Sequence, residues 1–170
     1  MKNRNRHYLI TYNALDQLLE VRDANLDCTL YTYDSNGNLK TITDANNNAT
    51  AYNYDLQDRL DDIVYDDASA IDYAYDKMSN LSAKTDQNGD TTTYSYDDVY
   101  RLEAKTYQDL SLVTYAYYND GTLKDVVDAS GAIHYDYNEW NELMQVTYPV
   151  GGVVSYGYDE LGNRTSMTYL

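Results

Sequence analysis

A tyrosine recurs along the chain at a nearly constant interval, and this period constrains the fold more than any other feature. Of the seven steps between the eight key tyrosines, six are 21 residues long and one is 20. The key tyrosines are Tyr12, Tyr33, Tyr54, Tyr75, Tyr96, Tyr117, Tyr137 and Tyr158. A register kept over so many copies indicates a repeat architecture, in which each unit buries its apolar face against its neighbours.

Two further positions keep the same register. A second tyrosine stands two residues before all but the first key tyrosine, at Tyr31, Tyr52, Tyr73, Tyr94, Tyr115, Tyr135 and Tyr156. A leucine stands six residues after all but the last, at Leu18, Leu39, Leu60, Leu81, Leu102, Leu123 and Leu143. We expect these residues to be structural positions that hold the repeats together.

Each repeat has the pattern of two short strands joined by turns. Thr92, Tyr94 and Tyr96 alternate with small polar residues, which predicts a half-buried strand. Asp or Asn usually follows the key tyrosine, and Gly, Asn or Asp often stands three residues further on, as residue types that open and close a turn. Ser79 and Tyr100 depart from this closing pattern.

The leucine begins the second strand, whose alternation is irregular. Val21 and Ile42 fall three residues after a leucine, so a flat strand would place them on the opposite face. A β-bulge would restore the register, but the sequence does not locate it. The whole pattern predicts an all-β fold, namely an antiparallel meander of about 16 strands in a curled or spiralling sheet.

Composition restricts the possible partners. The chain carries 28 acidic and 12 basic residues, a formal net charge of −16, which argues against nucleic acid because phosphates require Lys and Arg. No apolar run approaches the ~20 residues of a membrane-spanning helix. The chain contains 22 tyrosines and no phenylalanine, and the tyrosines supply the apolar area that folding needs.

The histidines and the cysteine do not form a recognisable site in the sequence. His7 and His134 are far apart and Cys28 is alone, which excludes a zinc-binding set of the usual spacing. His134 lies beside Tyr135 on the small, polar face of a predicted strand, and we interpret it as a strand-surface histidine.

One segment has the partial spacing of a calcium loop. Asp86, Asn88 and Asp90 match its first three ligand positions, but Thr91 stands where the loop requires glycine. We therefore favour a hairpin turn. We expect no catalytic residue, no cofactor, no metal ligand and no enzyme activity.

Repeats of the form Tyr-x-Tyr-Asp-x-x-Gly-x-Leu, followed by Thr-Asp-x-x-Gly, resemble the YD repeats of the RHS family. The segments that carry the resemblance are YTYDSNGNLKTITDANNN (31–48), YSYDDVYRLEAKTY (94–107) and YGYDELGNR (156–164). The family includes bacterial RHS polymorphic toxins, the C components of toxin complexes, wall-associated proteins and teneurins. The resemblance implies a strip of β-hairpins that spirals into a hollow shell, which in the toxins encloses a C-terminal toxic domain.

The chain departs from the family pattern in two respects. Family shells contain many more repeats than eight, and the region in which they cut themselves carries an Asp-Pro pair, whereas Pro149 here follows Tyr148. No catalytic residue is carried over. We expect residues 1–170 to form a single YD-repeat domain, either a fragment of a longer array or an open-ended assembling unit.

The expected function is therefore the wall of a shell around a toxin or another polypeptide cargo. Two alternatives stay open: a cell-surface adhesin that binds carbohydrate, and the subunit of a self-assembling extracellular fibre. The expected partners are further YD repeats, in the same chain or in other copies, with a polypeptide cargo or a glycan as candidates. All three functions imply a secreted or cell-surface protein, although the basic residues 1–6 precede no apolar signal core.

Overall fold

A computed structural model describes residues 8–170, so His7 and the basic segment 1–6 lie outside the described residues. The described chain is all-β, and its strands follow chain order in a sixteen-stranded antiparallel sheet, as predicted. The strands are β1 (Leu9–Tyr12), β2 (Leu18–Arg22), β3 (Cys28–Tyr33), β4 (Leu39–Thr43), β5 (Ala49–Tyr54), β6 (Leu60–Val64), β7 (Ala70–Tyr75), β8 (Leu81–Thr85), β9 (Thr91–Tyr96), β10 (Leu102–Thr106), β11 (Leu112–Tyr117), β12 (Leu123–Asp128), β13 (Gly131–Tyr137), β14 (Leu143–Thr147), β15 (Val153–Tyr158) and β16 (Arg164–Tyr169). None of the described segments is a helix of the length and apolarity that crossing a membrane requires.

The chain forms two compact units. The first contains residues up to Tyr75 together with Lys84–Asp90, and the second contains Asp76–Ala83 and Thr91–Leu170. In the first unit, strands β1 to β7 pair successively as an antiparallel meander. In the second unit, strands β9 to β16 pair in the same way.

A β-bulge lies directly after the leucine of the repeat. In the hairpin of β3 and β4, Tyr33 is opposite Leu39 and Thr32 is opposite Thr41, so Lys40 is the extra residue. Six other hairpins show the same shift at the equivalent position. The bulge places Ile42 opposite Tyr31, which returns it to the tyrosine side of the sheet and resolves the irregular alternation seen in the sequence.

The turn after the key tyrosine is closed by a residue in the left-handed region. In one example, the backbone N–H of Gly37 donates to the carbonyl oxygen of Asp34 (3.2 Å), and φ of Gly37 is +93°. Ser79 and Tyr100 adopt the same conformation, with φ of +68° and +64°. The turn therefore keeps its shape with Ser79 or Tyr100 at the closing position, and these two residues carry local backbone strain.

The single 20-residue step arises in a shorter connection between β12 and β13. Asp128 is opposite Gly131, so only Ala129 and Ser130 join the strands. In the equivalent connection between β4 and β5, Asp44 donates its backbone N–H to Asn48, with three residues between them. The shorter connection removes one residue while both strands keep their pairing.

The fold buries very few side chains completely. Among the described residues, Val146 and Val154 are the buried hydrophobic side chains, at 5% and 7% exposure, and they are opposite each other in β14 and β15. The key tyrosines from Tyr33 to Tyr158, and the second tyrosines that stand two residues before them, are half-buried. Stability therefore depends on rows of side chains that cover one another along the sheet.

Candidate functional site

The hydroxyl groups of the key tyrosines connect successive repeats. Six of them donate to the carbonyl oxygen of the leucine fifteen residues earlier, at distances between 2.9 and 3.0 Å. The pairs are Tyr33–Leu18, Tyr54–Leu39, Tyr75–Leu60, Tyr96–Leu81, Tyr117–Leu102 and Tyr158–Leu143. We call these bonds the tyrosine ties. Each fixes a side chain of one repeat to the backbone of the repeat before it.

The ties satisfy carbonyl groups that lie beyond the strand ladder. The ladder between β2 and β3 begins with the pair of Glu20 and Leu30, so Leu18 lies outside the ladder and its carbonyl oxygen accepts from Tyr33 instead. A half-buried carbonyl needs such a partner, and phenylalanine could not provide it. Burial, followed by the nearby Asp34 carboxylate, raises the pKa of Tyr54.

Two key tyrosines are exceptions among the described residues. Tyr12 is in the first repeat and is 58% exposed. Tyr137 follows the short step, lies fourteen residues after Leu123, and forms no tie to it. In that repeat the hydroxyl of Tyr118 donates to the carbonyl oxygen of Tyr135 at 3.1 Å. The assignment of the tyrosines and leucines as structural residues stays a prediction.

Lysine and arginine side chains lie over tyrosine rings on the aromatic side of the sheet. The Nζ atom of Lys105 lies 6.0 and 5.7 Å from the ring centroids of Tyr94 and Tyr115. The guanidinium carbon of Arg59 lies 4.4 Å from the ring centroid of Tyr75. Lys105 is opposite Tyr94 in the position that Ile42 holds opposite Tyr31. A long aliphatic stem can replace an apolar residue there because the rings accommodate the charge.

His134 is the centre of a polar cluster on the other side of the sheet. Its Nδ1 lies 2.6 Å from Oδ1 of Asp125, and its Nε2 lies 3.2 Å from Oδ1 of Asp136 and 3.4 Å from the hydroxyl of Tyr118. The hydrogen bond with Asp125 is the main cause that raises the pKa of His134, against the effect of burial. Two carboxylates and a phenol orient the imidazole, and the carboxylates favour its charged form. The sequence predicted the surface position and missed the cluster.

The calcium-like segment is a hairpin turn. Oδ1 of Asp86 accepts the backbone N–H groups of Asn88 (2.8 Å) and Asp90 (3.1 Å), and Gly89 closes the turn with φ of +85°. This is the hydrogen bonding of the other Asp-led turns of the chain, so it needs no ion to explain it. Within residues 8–170, no group of three or more His, Cys, Asp or Glu side chains is arranged to hold a metal ion.

An open cavity of about 680 Å³ lies between two successive hairpin turns of the second unit. Trp140 and Leu161, at the tips of these turns, are 73% and 87% exposed. We call this cavity the Trp140 depression. Its lining residues are Asn138, Trp140, Glu142, Met144, Tyr158, Asp159, Glu160, Leu161 and Gly162. The depression was not predicted from the sequence, in which the available signal was a pair of apolar residues, Trp140 and Leu161, at equivalent turn positions.

The sequence matches the model of one protein family, described as RHS Repeat, over residues 12–46, 33–71 and 137–169. No curated protein matches the chain.

Solved structures of toxin-complex proteins share the fold. The crystal structure of TcdB2-TccC3 without its hypervariable C-terminal region is 18% identical, with a TM-score of 0.80, over 97% of this chain and 12% of that chain. TcdB2-TccC3-Cdc42 is 17% identical, with a TM-score of 0.78, over 94% and 11%. A Tc holotoxin pore of Photorhabdus luminescens is 17% identical, with a TM-score of 0.76, over 94% and 11%. This chain thus spans about a ninth to an eighth of their length, and at these identities the likeness concerns the fold alone.

Proposed function

The chain belongs to the RHS repeat family, whose model matches more than half of its residues, and we propose that it forms part of the wall of a shell that encloses a polypeptide cargo. The predicted family resemblance is confirmed. The chain is a structural β-repeat module, and enclosure of a cargo is the step that the proposal adds.

The tyrosine ties are the observation that carries this proposal. A wall one sheet thick has no second layer to support it, and only Val146 and Val154 are buried among the described residues. Each tie adds a side-chain bond between neighbouring repeats where the backbone ladder has ended, as between Tyr117 and Leu102 (2.9 Å). Such bonds resist separation of the strands, which is the property that a containing wall requires.

The proposed role is mechanical, so it needs neither a catalytic residue nor a cofactor. We also propose a secreted or cell-surface location, because a container for a toxin acts outside the cell that makes it. One similar structure is described as lacking a hypervariable C-terminal region and another as a holotoxin pore. These descriptions belong to those proteins, and they make a polypeptide cargo the candidate partner here.

Protease protection tests the proposal. The natural polypeptide that contains residues 1–170 is purified and treated with proteinase K, and surviving fragments are identified by mass spectrometry. We expect a segment outside the repeats to survive in the wild type. We expect it to be cut faster when Tyr33, Tyr54 and Tyr75 are all replaced by Phe, which removes three ties. Tyr12→Phe and Tyr137→Phe, which remove none, are the matched controls.

Two results would overturn the proposal. One is equal cleavage of every segment outside the repeats in the wild type and in the triple variant. The other is a cryo-electron microscopy map of the same polypeptide in which the repeats enclose no density. The adhesin and fibre alternatives stay predictions, which a glycan array and electron microscopy of the purified chain test.

A further inference from the structure

We propose that the Trp140 depression is a binding site for a small organic cation of the alkylammonium or guanidinium class. This role is separate from the proposed wall function. It is inferred from three properties of the depression, namely its fixed shape, its aromatic and apolar surface, and the charge of its lining.

Both turns that form the depression are held in place by hydrogen bonds. Oδ1 of Asn138 accepts the backbone N–H groups of Trp140 and Glu142, each at 3.0 Å. Oδ1 of Asp159 accepts those of Leu161 and Asn163, each at 2.9 Å. The cavity is thus formed before a ligand arrives, and its volume of about 680 Å³ is within the range usual for ligand sites.

The surface of the depression suits a ligand with an apolar body. Trp140, Leu161 and Met144 are 73%, 87% and 39% exposed, so covering them removes apolar area from water. The indole ring is the aromatic face to which cations bind best. The hydroxyl of Tyr158 already donates to Leu143 at 3.0 Å, so this residue contributes its ring and no free donor.

The polar groups of the lining select for positive charge. The lining contains the carboxylates of Glu142, Asp159 and Glu160 and no Lys or Arg. The amide nitrogen of Asn138 is occupied by Oε2 of Glu142 at 2.6 Å, and the turn bonds occupy the backbone donors of Trp140 and Leu161. The site thus presents acceptors with few free donors. A neutral sugar requires both, whereas an organic cation is attracted by negative charge and an aromatic face.

Glu160 is the residue that we expect to face the charge of the ligand. It forms no hydrogen bond or ion pair with the residues that the structure describes, whereas the carboxylates of Glu142 and Asp159 bind within their own turns. Its negative charge is therefore the one available to a ligand without rearrangement of the turns.

Intrinsic fluorescence provides a direct test, because Trp140 is the only tryptophan of the chain. The full chain is titrated with choline and, separately, with its neutral tert-butyl analogue. We expect saturable quenching by choline and binding of the neutral analogue weaker by about tenfold, a difference of about 1.4 kcal/mol. Glu160→Gln should weaken choline binding to a similar extent, whereas Glu103→Gln, an exposed change on β10, should leave it unchanged.

Several outcomes would overturn the proposal. Equal affinity for choline and its neutral analogue would identify an apolar surface without charge selection. Preferential quenching by a neutral oligosaccharide would identify a glycan site. Absence of quenching by choline, together with unbroadened choline methyl signals in NMR spectra of the mixture, would show that no cation binds. Far-UV circular dichroism of Glu160→Gln separates loss of binding from loss of fold.

Discussion

The hydroxyl of Tyr54 lies 3.0 Å from the carbonyl oxygen of Leu39 and donates to it, although the two residues are fifteen positions apart. Leu39 precedes the first ladder pair between β4 and β5, which joins Thr41 and Ala51. The tie therefore extends the contact between two repeats past the point at which backbone pairing begins. The tie requires the phenol hydroxyl of Tyr54, which a phenylalanine at this position would lack.

Replacing Tyr54 by Phe should destabilise the protein by about 0.5–1.5 kcal/mol, because it removes one hydrogen bond and leaves a half-buried carbonyl. Urea unfolding followed by circular dichroism measures the change. Tyr137→Phe is the matched control, since this half-buried tyrosine forms no tie. Equal effects of the two substitutions would show that the ties add nothing to stability.

Replacing Leu110 by Gly should stabilise the protein by about 0.5–1 kcal/mol, because Leu110 has φ of +66° and a side chain that is 82% exposed. Gly121→Ala is the reciprocal change. It should destabilise the protein by a similar amount, because φ of Gly121 is +92° and a residue with a Cβ is strained there. The added Cβ meets no atom within 4 Å, so the effect comes from the backbone conformation alone. Thermal unfolding midpoints of both variants are compared with wild type. A loss of stability in Leu110→Gly would contradict the prediction.

Stability contributed by His134 should decrease as the pH rises. Its pKa is raised in the folded protein, chiefly by the hydrogen bond with Asp125, so the folded state holds the proton more tightly than the unfolded state. The contribution is complete below the unfolded pKa of about 6.5 and is lost as the pH rises through the folded pKa. The other groups that face the imidazole are Asp136 and Tyr118.

Comparison with His134→Gln isolates this contribution. The difference in melting temperature between the wild type and the variant should be larger at pH 5.5 than at pH 8.5, with the wild type the more stable. A difference that stays constant across this range would show that the protonation of His134 is not coupled to folding.

Acid should weaken the turns that aspartate residues lead. Hydrogen bonds from the side-chain amide and the backbone N–H of Asn48 lower the pKa of Asp44, and the pKa is lowered in the same type of turn at Asp34, Asp55, Asp97 and Asp159. The stability that they contribute is present above the unfolded pKa of about 3.9 and is lost as the pH falls through the lowered folded values.

The triple variant Asp34→Asn, Asp44→Asn and Asp55→Asn keeps an acceptor in each turn and removes three titrating carboxyl groups. Its free energy of unfolding should fall less than that of the wild type between pH 5 and pH 2.5, as measured by urea unfolding at each pH. Identical acid profiles would refute the coupling.

Replacing Val146 by Ala should destabilise the protein by roughly 1–3 kcal/mol, because it opens a void against Val154. Val150→Ala, at a side chain that is 96% exposed, should change stability by less than about 0.5 kcal/mol. Urea midpoints compare the two variants. An equally small effect at both positions would mean that the two buried valines do not act as a core.

Most of the fold could be predicted from the sequence because the relevant signals are local. Alternating Tyr94 and Tyr96 predict β9, and the residue types around Asp34 and Gly37 predict a turn. The bulge could not be located, because the residues that occupy it, such as Leu19, Lys40 and Asp61, share no chemistry. Backbone geometry opposite the key tyrosine fixes the bulge, and the side chain of the extra residue is free to vary.

The clusters of the second unit escaped prediction because they depend on cross-strand register. His134 meets Asp125 across a hairpin whose connection is one residue shorter than the equivalent one between β4 and β5, and the period alone does not reveal that change. Trp140 and Leu161 are 21 positions apart and come together only when the tips of successive hairpins are aligned. A sequence pattern identifies such positions but does not place them together.

The nearly absent interior has an evolutionary consequence. A globular protein with a shared core must accommodate any inserted segment throughout that core. Here each hairpin packs against the hairpins beside it. A duplication or deletion of one whole repeat therefore reproduces a junction that already exists. Lineages can therefore lengthen or shorten such an array in single genetic steps, without first altering any residue elsewhere.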